Sequence, residues 1–239
     1  MGLTIIYELS VSRKPDLEVI RELVQRVARY AETIGCAEVG QPAPAAGNDK
    51  SAGLFVQVGR PEDGCFGIIP PKDGWVVEVW PGEGCESATF GLCEYPRLSL
   101  FRGGWVPTGF RRGWLLKSHC KTQYAGEHGW QHFLKCHKQI ISLLDFWRNL
   151  GVQVKVTDEG GYWETRSEAA LKERVGRYDG LMAAVGGMFK DAAAAASSVS
   201  SVESPIFDYA HFERLEHEGR QSFGRPLEEL QKMCRKGRF

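Results

Sequence analysis

The 239-residue sequence predicts an α+β domain built on a mainly antiparallel sheet, with helices packed on one face and a helical C-terminal tail. Three observations lead there. Strand-like runs crowd together between residues 54 and 124, each closed by Gly or Pro, as in an antiparallel meander. Helical patterns lie before and after that cluster, so strict β-α-β alternation is missing. No G-x-G-x-x-G or Walker lysine motif marks a nucleotide-binding parallel sheet, and no cofactor is expected.

In chain order, residues 3–10 alternate as a strand, with no basic segment ahead of them to suggest a secretory signal. Leu17, Ile20, Val24, Val27, Ala31 and Ile34 fall on one stripe of a first helix that stops at Gly35. Residues 41–53, rich in Pro, Ala and Gly, read as a loop. The strand candidates follow: "LFVQVG", "CFGIIP", "WVVEVW", "ATFGLCEY" and "WLLKSHCKTQY", with a solvated loop over 97–113. A second helix spans about 129–150, ending at Gly151. On it Phe133, His137, Ile140, Leu144 and Trp147 share a stripe, which turns His137 inward. "VQVKV" alternates as a strand, and Thr165 and Glu168 stand at capping-box spacing ahead of a third helix over about 167–190. The main domain is drawn at 1–190, an Ala/Ser-rich linker or frayed helix end at 191–201, and a tail at 202–239. That tail holds two short helices, the second with Pro226 in its first turn. Phe207, Tyr209, Phe212 and Leu215 need cover, so the tail is expected to pack on the domain.

Thirty basic residues balance thirty acidic ones, which disfavours a dedicated nucleic-acid binder. Seven cysteines, odd in number and never at Cys-x-x-Cys spacing, read as reduced thiols of a cytoplasmic protein. No apolar run reaches membrane-spanning length, so no membrane association is expected.

Two stretches carry candidate chemistry. "VTDEGGYWETR" (156–166) gathers Asp158, Glu159 and Glu164 beside Tyr162, Trp163 and Arg166. Clustered carboxylates against apolar walls can do acid-base work, although a turn and a helix start explain many of these residues equally well. From Tyr95 to Gly126 there is no acidic residue, while Arg97, Arg102, Arg111, Arg112, Lys117 and Lys121 interleave with Phe101, Trp105, Phe110 and Trp114. Such a segment offers charge to an anion and rings for stacking. Along "WLLKSHCKTQY", Trp114, Leu116, Ser118, Cys120, Thr122 and Tyr124 share one face, and Leu115, Lys117, His119, Lys121 and Gln123 the other. The second face is too polar for a core.

The expected function is recognition of a small or flat anionic ligand in a cleft. Lys121, Gln123, Arg111 and Arg112 contact the anion, Tyr162, Trp163 and Arg166 line it, and Asp158, Glu159, Glu164 and His137 position or move a proton. The cleft requires the strand at 114–124 to lie beside the strand at 152–157. The alternative is an interaction module that docks a protein partner through the aromatic segment 101–114, and a weaker one is RNA binding through the basic residues. His128, His132 and Cys136 are spaced to align on one ridge, but no recognised ligand spacing is met and no metal is expected.

Three fragments together, "PGEGCESATFGLCEYP" (81–96), "KSHCKTQYAG" (117–126) and "DEGGYWETR" (158–166), resemble an uncharacterised family of bacterial hypothetical proteins. The resemblance covers most of residues 1–190, weakens in the tail, and implies a bacterial cytosolic single-domain protein. No site residue comes with it. Within the first fragment, Glu86 is added as a ligand-binding candidate.

Overall fold

The structure, a computed structural model, describes residues 3–12, 15–45, 56–60, 65–101, 104–108, 110, 113–195 and 212–235. The chain is α+β and divides into two compact units, Met1–Glu159 and Gly160–Phe239. Composition drew a boundary near 190; the helix before that point instead packs on the tail helix within the second unit. Most of the Ala/Ser-rich stretch lies outside the described residues.

In the first unit, β1 (Thr4–Val11) leads to α1 (Leu17–Thr33), then β2 (Glu38–Val39), β3 (Ala43–Pro44), β4 (Val56–Arg60), β5 (Cys65–Ile69), β6 (Asp73–Trp80) and β7 (Ala88–Glu94). β8 (Leu98–Phe101), β9 (Gly104–Pro107), β10 (Trp114–Lys121), a 3-10 turn (Gln123–His128), α2 (Trp130–Asn149) and β11 (Gln153–Asp158) complete it. The principal sheet has the order β11-β1-β10-β7-β6-β2, with β3 also on β6, and every pairing is antiparallel. β4–β5 and β8–β9 are separate antiparallel pairs.

The period of two along each strand gives this sheet an apolar face and a polar face. Ile5, Tyr7, Leu9, Leu116, Cys120, Phe90 and Leu92 are buried, as are Ile20, Val24, Val27 and Ala31 of α1. The entire predicted α2 stripe is buried as well: Phe133, His137, Ile140, Leu144 and Trp147. Burying each large apolar side chain is worth about 1.5–3 kcal/mol, so this face drives the assembly of the unit. Gln139 ties the helices together, donating to the carbonyls of Ile34 and Gly35 at the end of α1. On the opposite face Glu8 accepts ion pairs from Lys117 (3.3 Å) and Lys155 (3.0 Å), both largely exposed.

Two local expectations change. The segment 97–113 is not a loop throughout: Leu98–Phe101 pairs with Gly104–Pro107. Leu, Phe, Trp and Val there form a short strand pattern that outweighs the neighbouring arginines. Gln123 does not continue the β10 face, because the strand stops at Lys121 and the backbone turns into a 3-10 helix.

The second unit contains α3 (Tyr162–Thr165), α4 (Glu168–Ala195) and α5 (Phe212–Arg235). Thr165 is not the cap of α4. Its hydroxyl donates to the Gly161 carbonyl, Arg166 takes a left-handed conformation (φ 54°), and the Ser167 hydroxyl accepts from the Ala170 N–H at 3.2 Å. The two predicted tail helices meet in α5 at a kink, where Phe223 leaves the helical conformation (φ −118°, ψ 16°), three residues before Pro226. Proline lacks an N–H and its ring presses on the preceding turn, which accounts for the break. α5 packs on α4 around Ala183, Met182, Phe212 and Leu215, and the two backbones approach closely at Gly180 and Gly219, where a Cβ on Gly219 would strike the Gly180 carbonyl.

Candidate functional site

β7 and β10 are neighbours in the sheet, yet one bridge, Leu115↔Cys93, is their whole ladder. Just ahead of β7 the chain returns to the end of β10, where the Glu86 N–H donates to the Lys121 carbonyl (2.9 Å) and Lys121 N–H reaches Glu86 Oε2 (3.3 Å). Between these two points the ladder is open. Tyr7 closes it from the core side: its hydroxyl donates to the Thr89 carbonyl at 2.8 Å, and its ring stacks on Phe90. Burial pushes the Tyr7 phenol far above its ordinary value, so it stays a donor.

On the polar face the opening is a groove of about 490 Å³. Its lining includes Glu78 of β6, Glu86, Ser87 and Thr89 at β7, and Lys117 and His119 of β10. Glu86 organises the charge at one end, with His119 Nε2 at 3.5 Å and Lys121 Nζ at 3.3 Å. Both contacts are open to solvent: the side chains of His119 and Glu86 are 59% and 44% exposed. The arrangement provides two cationic side chains, an imidazole, hydroxyls and strand backbone around one hollow. That combination suits a ligand with a flat polar edge and an anionic group.

The sequence candidates fall into several places. Glu86 and Lys121 meet at this groove. Asp158 and His137 also meet, but on the core side. His137 Nε2 lies 3.2 Å from Asp158 Oδ2, and Nδ1 lies 3.0 Å from the Thr122 hydroxyl, with the His137 and Asp158 side chains fully buried. An ionised carboxylate only accepts, so the hydrogen belongs on Nε2, and in the neutral imidazole Nδ1 accepts from Thr122. The set has the members of a hydroxyl–imidazole–carboxylate relay, but it is sealed from solvent and fastens β10, α2 and β11 together.

Glu159 pairs with the start of β1: Oε2 accepts from Thr4 N–H at 2.9 Å, and its own N–H donates to the Thr4 carbonyl. Lys121 and Asp158 are not across a cleft from one another. β1 lies between their strands, with Thr4 opposite Lys121 and Ile5 opposite Asp158, so the two side chains leave the sheet on opposite faces. Gln123 sits in the 3-10 turn, half-buried. In the second unit Glu164 is exposed, Tyr162 is buried, and Arg166 lies over the Trp163 ring at 4.6 Å. Arg111 and Arg112 lie outside the described residues.

Sequence reading placed Lys117 and His119 on the polar face without choosing them, and missed Ser87, Thr89 and Glu78. The usable signal was that face itself, followed across to the acid at 86. Among the described residues, no group of three or more His, Cys, Asp or Glu side chains is placed to hold a metal ion, and no helix is long and apolar enough to cross a membrane. No protein-family model, curated protein or solved structure matches the chain.

Proposed function

We propose that the protein binds a small or flat anionic ligand in the groove between β7 and β10. The interrupted ladder carries this reading: it opens a hollow in the polar face beside Lys117, His119 and the Glu86–Lys121 pair. A planar ligand edge would meet backbone and hydroxyl groups there, while its anionic group would exchange with Glu86 for the cations. Any proton transfer falls to His119, since an imidazole is the side chain there suited to that role near neutral pH.

A thermal-shift screen with inorganic phosphate, nucleoside monophosphates and aromatic carboxylates tests the proposal. A binder present at a hundred times its Kd stabilises by about 2.7 kcal/mol and raises Tm. The rise is expected to vanish in a Lys117→Ala/His119→Ala double variant. No shift with any probe, or a shift that survives the double substitution, overturns it.

A second reading, a protein-interaction module, is favoured by the β8–β9 hairpin. Leu98, Leu100 and Trp105 are 52%, 62% and 70% exposed, and Leu100 stands opposite Trp105. Exposed large apolar side chains gathered on one hairpin are typical of docking surfaces. Trp114, also expected in such a patch, is instead buried and donates from Nε1 to the Pro15 carbonyl.

A further inference from the structure

The groove carries a charge imbalance that a purely anionic ligand would leave in place. Its lining sets two carboxylates, Glu78 and Glu86, against one ammonium, Lys117, and one imidazole, His119. Glu86 already has partners in His119 and Lys121, and Lys117 lies 3.3 Å from Glu8 of β1. Glu78 differs. It is exposed on β6, and among the described residues no cation pairs with its carboxylate. The link from β2 to β3 runs beside it at Gly40, whose N–H donates to the Glu78 carbonyl at 2.8 Å. A Cβ on Gly40 would stand 3.8 Å from Glu78 Cβ, so the missing side chain keeps the acid uncovered.

These groups lie in one row across the sheet. Glu78 stands opposite Thr89 in the β6–β7 ladder. The register of the Leu115↔Cys93 bridge, carried along both strands, sets His119 across from Thr89 on the other side. The row therefore reads carboxylate, hydroxyl, imidazole, with Lys117 two residues along β10. Neighbouring strands lie about 4.8 Å apart and the β7–β10 ladder is open, so the ends of the row are roughly 10 Å apart or more. A charge-assisted hydrogen bond takes up about 2.8 Å at each end, leaving roughly 5 Å or more for a ligand that engages both. A single amino acid, with both charges on one Cα, is too short, whereas two extended residues reach about 7 Å.

Resting on the reading of this groove as the ligand site, we propose that its ligand is zwitterionic: a dipeptide laid across β7, its ammonium on Glu78 and its carboxylate on His119 and Lys117. The carboxylate takes the place of Glu86 at His119, and the ammonium supplies the cation that Glu78 lacks. The peptide group between them lies over Thr89, whose hydroxyl can donate to its carbonyl or accept from its N–H. Recognition is of the two termini and the peptide group, so the identity of the side chains is secondary. The hollow, about 490 Å³, has the size of a small-molecule site, about 300–1,000 Å³.

The test is isothermal titration calorimetry on the full-length chain with alanyl-alanine, its N-acetyl and C-terminal amide forms, alanine and inorganic phosphate. Alanyl-alanine is expected to bind. Blocking either terminus, or shortening the probe to alanine, should weaken binding about fivefold, the effect of losing one exposed ion pair. In Glu78→Gln, alanyl-alanine should fall to the level of its acetylated form, while phosphate binds at least as well as before. Glu78 is exposed, and the acetylated probe examines the same contact without any substitution. Suppose phosphate binds, but the acetylated form or alanine matches alanyl-alanine, or Glu78→Gln leaves their ratio unchanged. The dipeptide assignment is then overturned and the groove reading stands. Binding of no probe at all overturns both.

Discussion

The first unit holds two histidine–carboxylate contacts on opposite sides of one sheet. His137 faces Asp158 at 3.2 Å on the core side, and His119 faces Glu86 at 3.5 Å on the polar side. The chemistry is nearly the same, and the surroundings are not. Water is excluded from the first pair, whose partners are completed by Thr122; the second is bathed in solvent and shared with Lys121. Exclusion of water makes the loss of one partner expensive, while exposure makes a pair cheap to break and available to an incoming ligand. One network therefore serves the fold, and the other is free to exchange partners.

Breaking each pair gauges that contrast. Asp158→Ala should cost about 3–5 kcal/mol in urea denaturation, because it strips a buried imidazole of its acceptor. Glu86→Gln should cost less than about 1 kcal/mol, as exposed pairs do, while tightening the binding of inorganic phosphate by releasing His119 and Lys121. Equal losses at the two sites would erase the distinction. The smallest expected effect concerns Glu8, whose carboxyl is held below its ordinary value of 4.5, first by the hydrogen bond from Lys155 and then, against partial burial, by Lys117. A lowered folded value means its stabilisation is in place above that ordinary value and is lost as pH falls through the folded one. Glu8→Gln should flatten the dependence of Tm on pH in that acid range and leave neutral stability nearly unchanged.

Local periodicity revealed much of this. The α2 stripe foretold an inward His137, and the alternation of β10 foretold the face carrying Lys117 and His119. The buried network was legible too, had the parity been followed further. Asp158 continues the series Val152, Val154 and Val156, and Thr122 continues Trp114, Leu116 and Cys120, so both are polar residues at core positions. Such residues must satisfy one another. What periodicity could not give was the neighbour of each strand. The insertion of β1 between β10 and β11 depends on pairing across more than a hundred residues of chain, and it removed the cleft expected between Lys121 and Asp158. The groove was equally invisible, because a ladder that stops after one bridge leaves no mark in composition. The pairing Leu98–Phe101 with Gly104–Pro107 was hidden for a simpler reason: arginines drew attention away from a short apolar alternation.

The crossing of α4 and α5 at Gly180 and Gly219 has a consequence for alignment. Sliding α5 by one residue along its partner would bring Glu218 or Arg220 to the place where main chain touches main chain, and neither side chain could fit there. Two residues that lack side chains thus cut a notch between the helices, and the notch helps set the offset at which Phe212 finds Ala183.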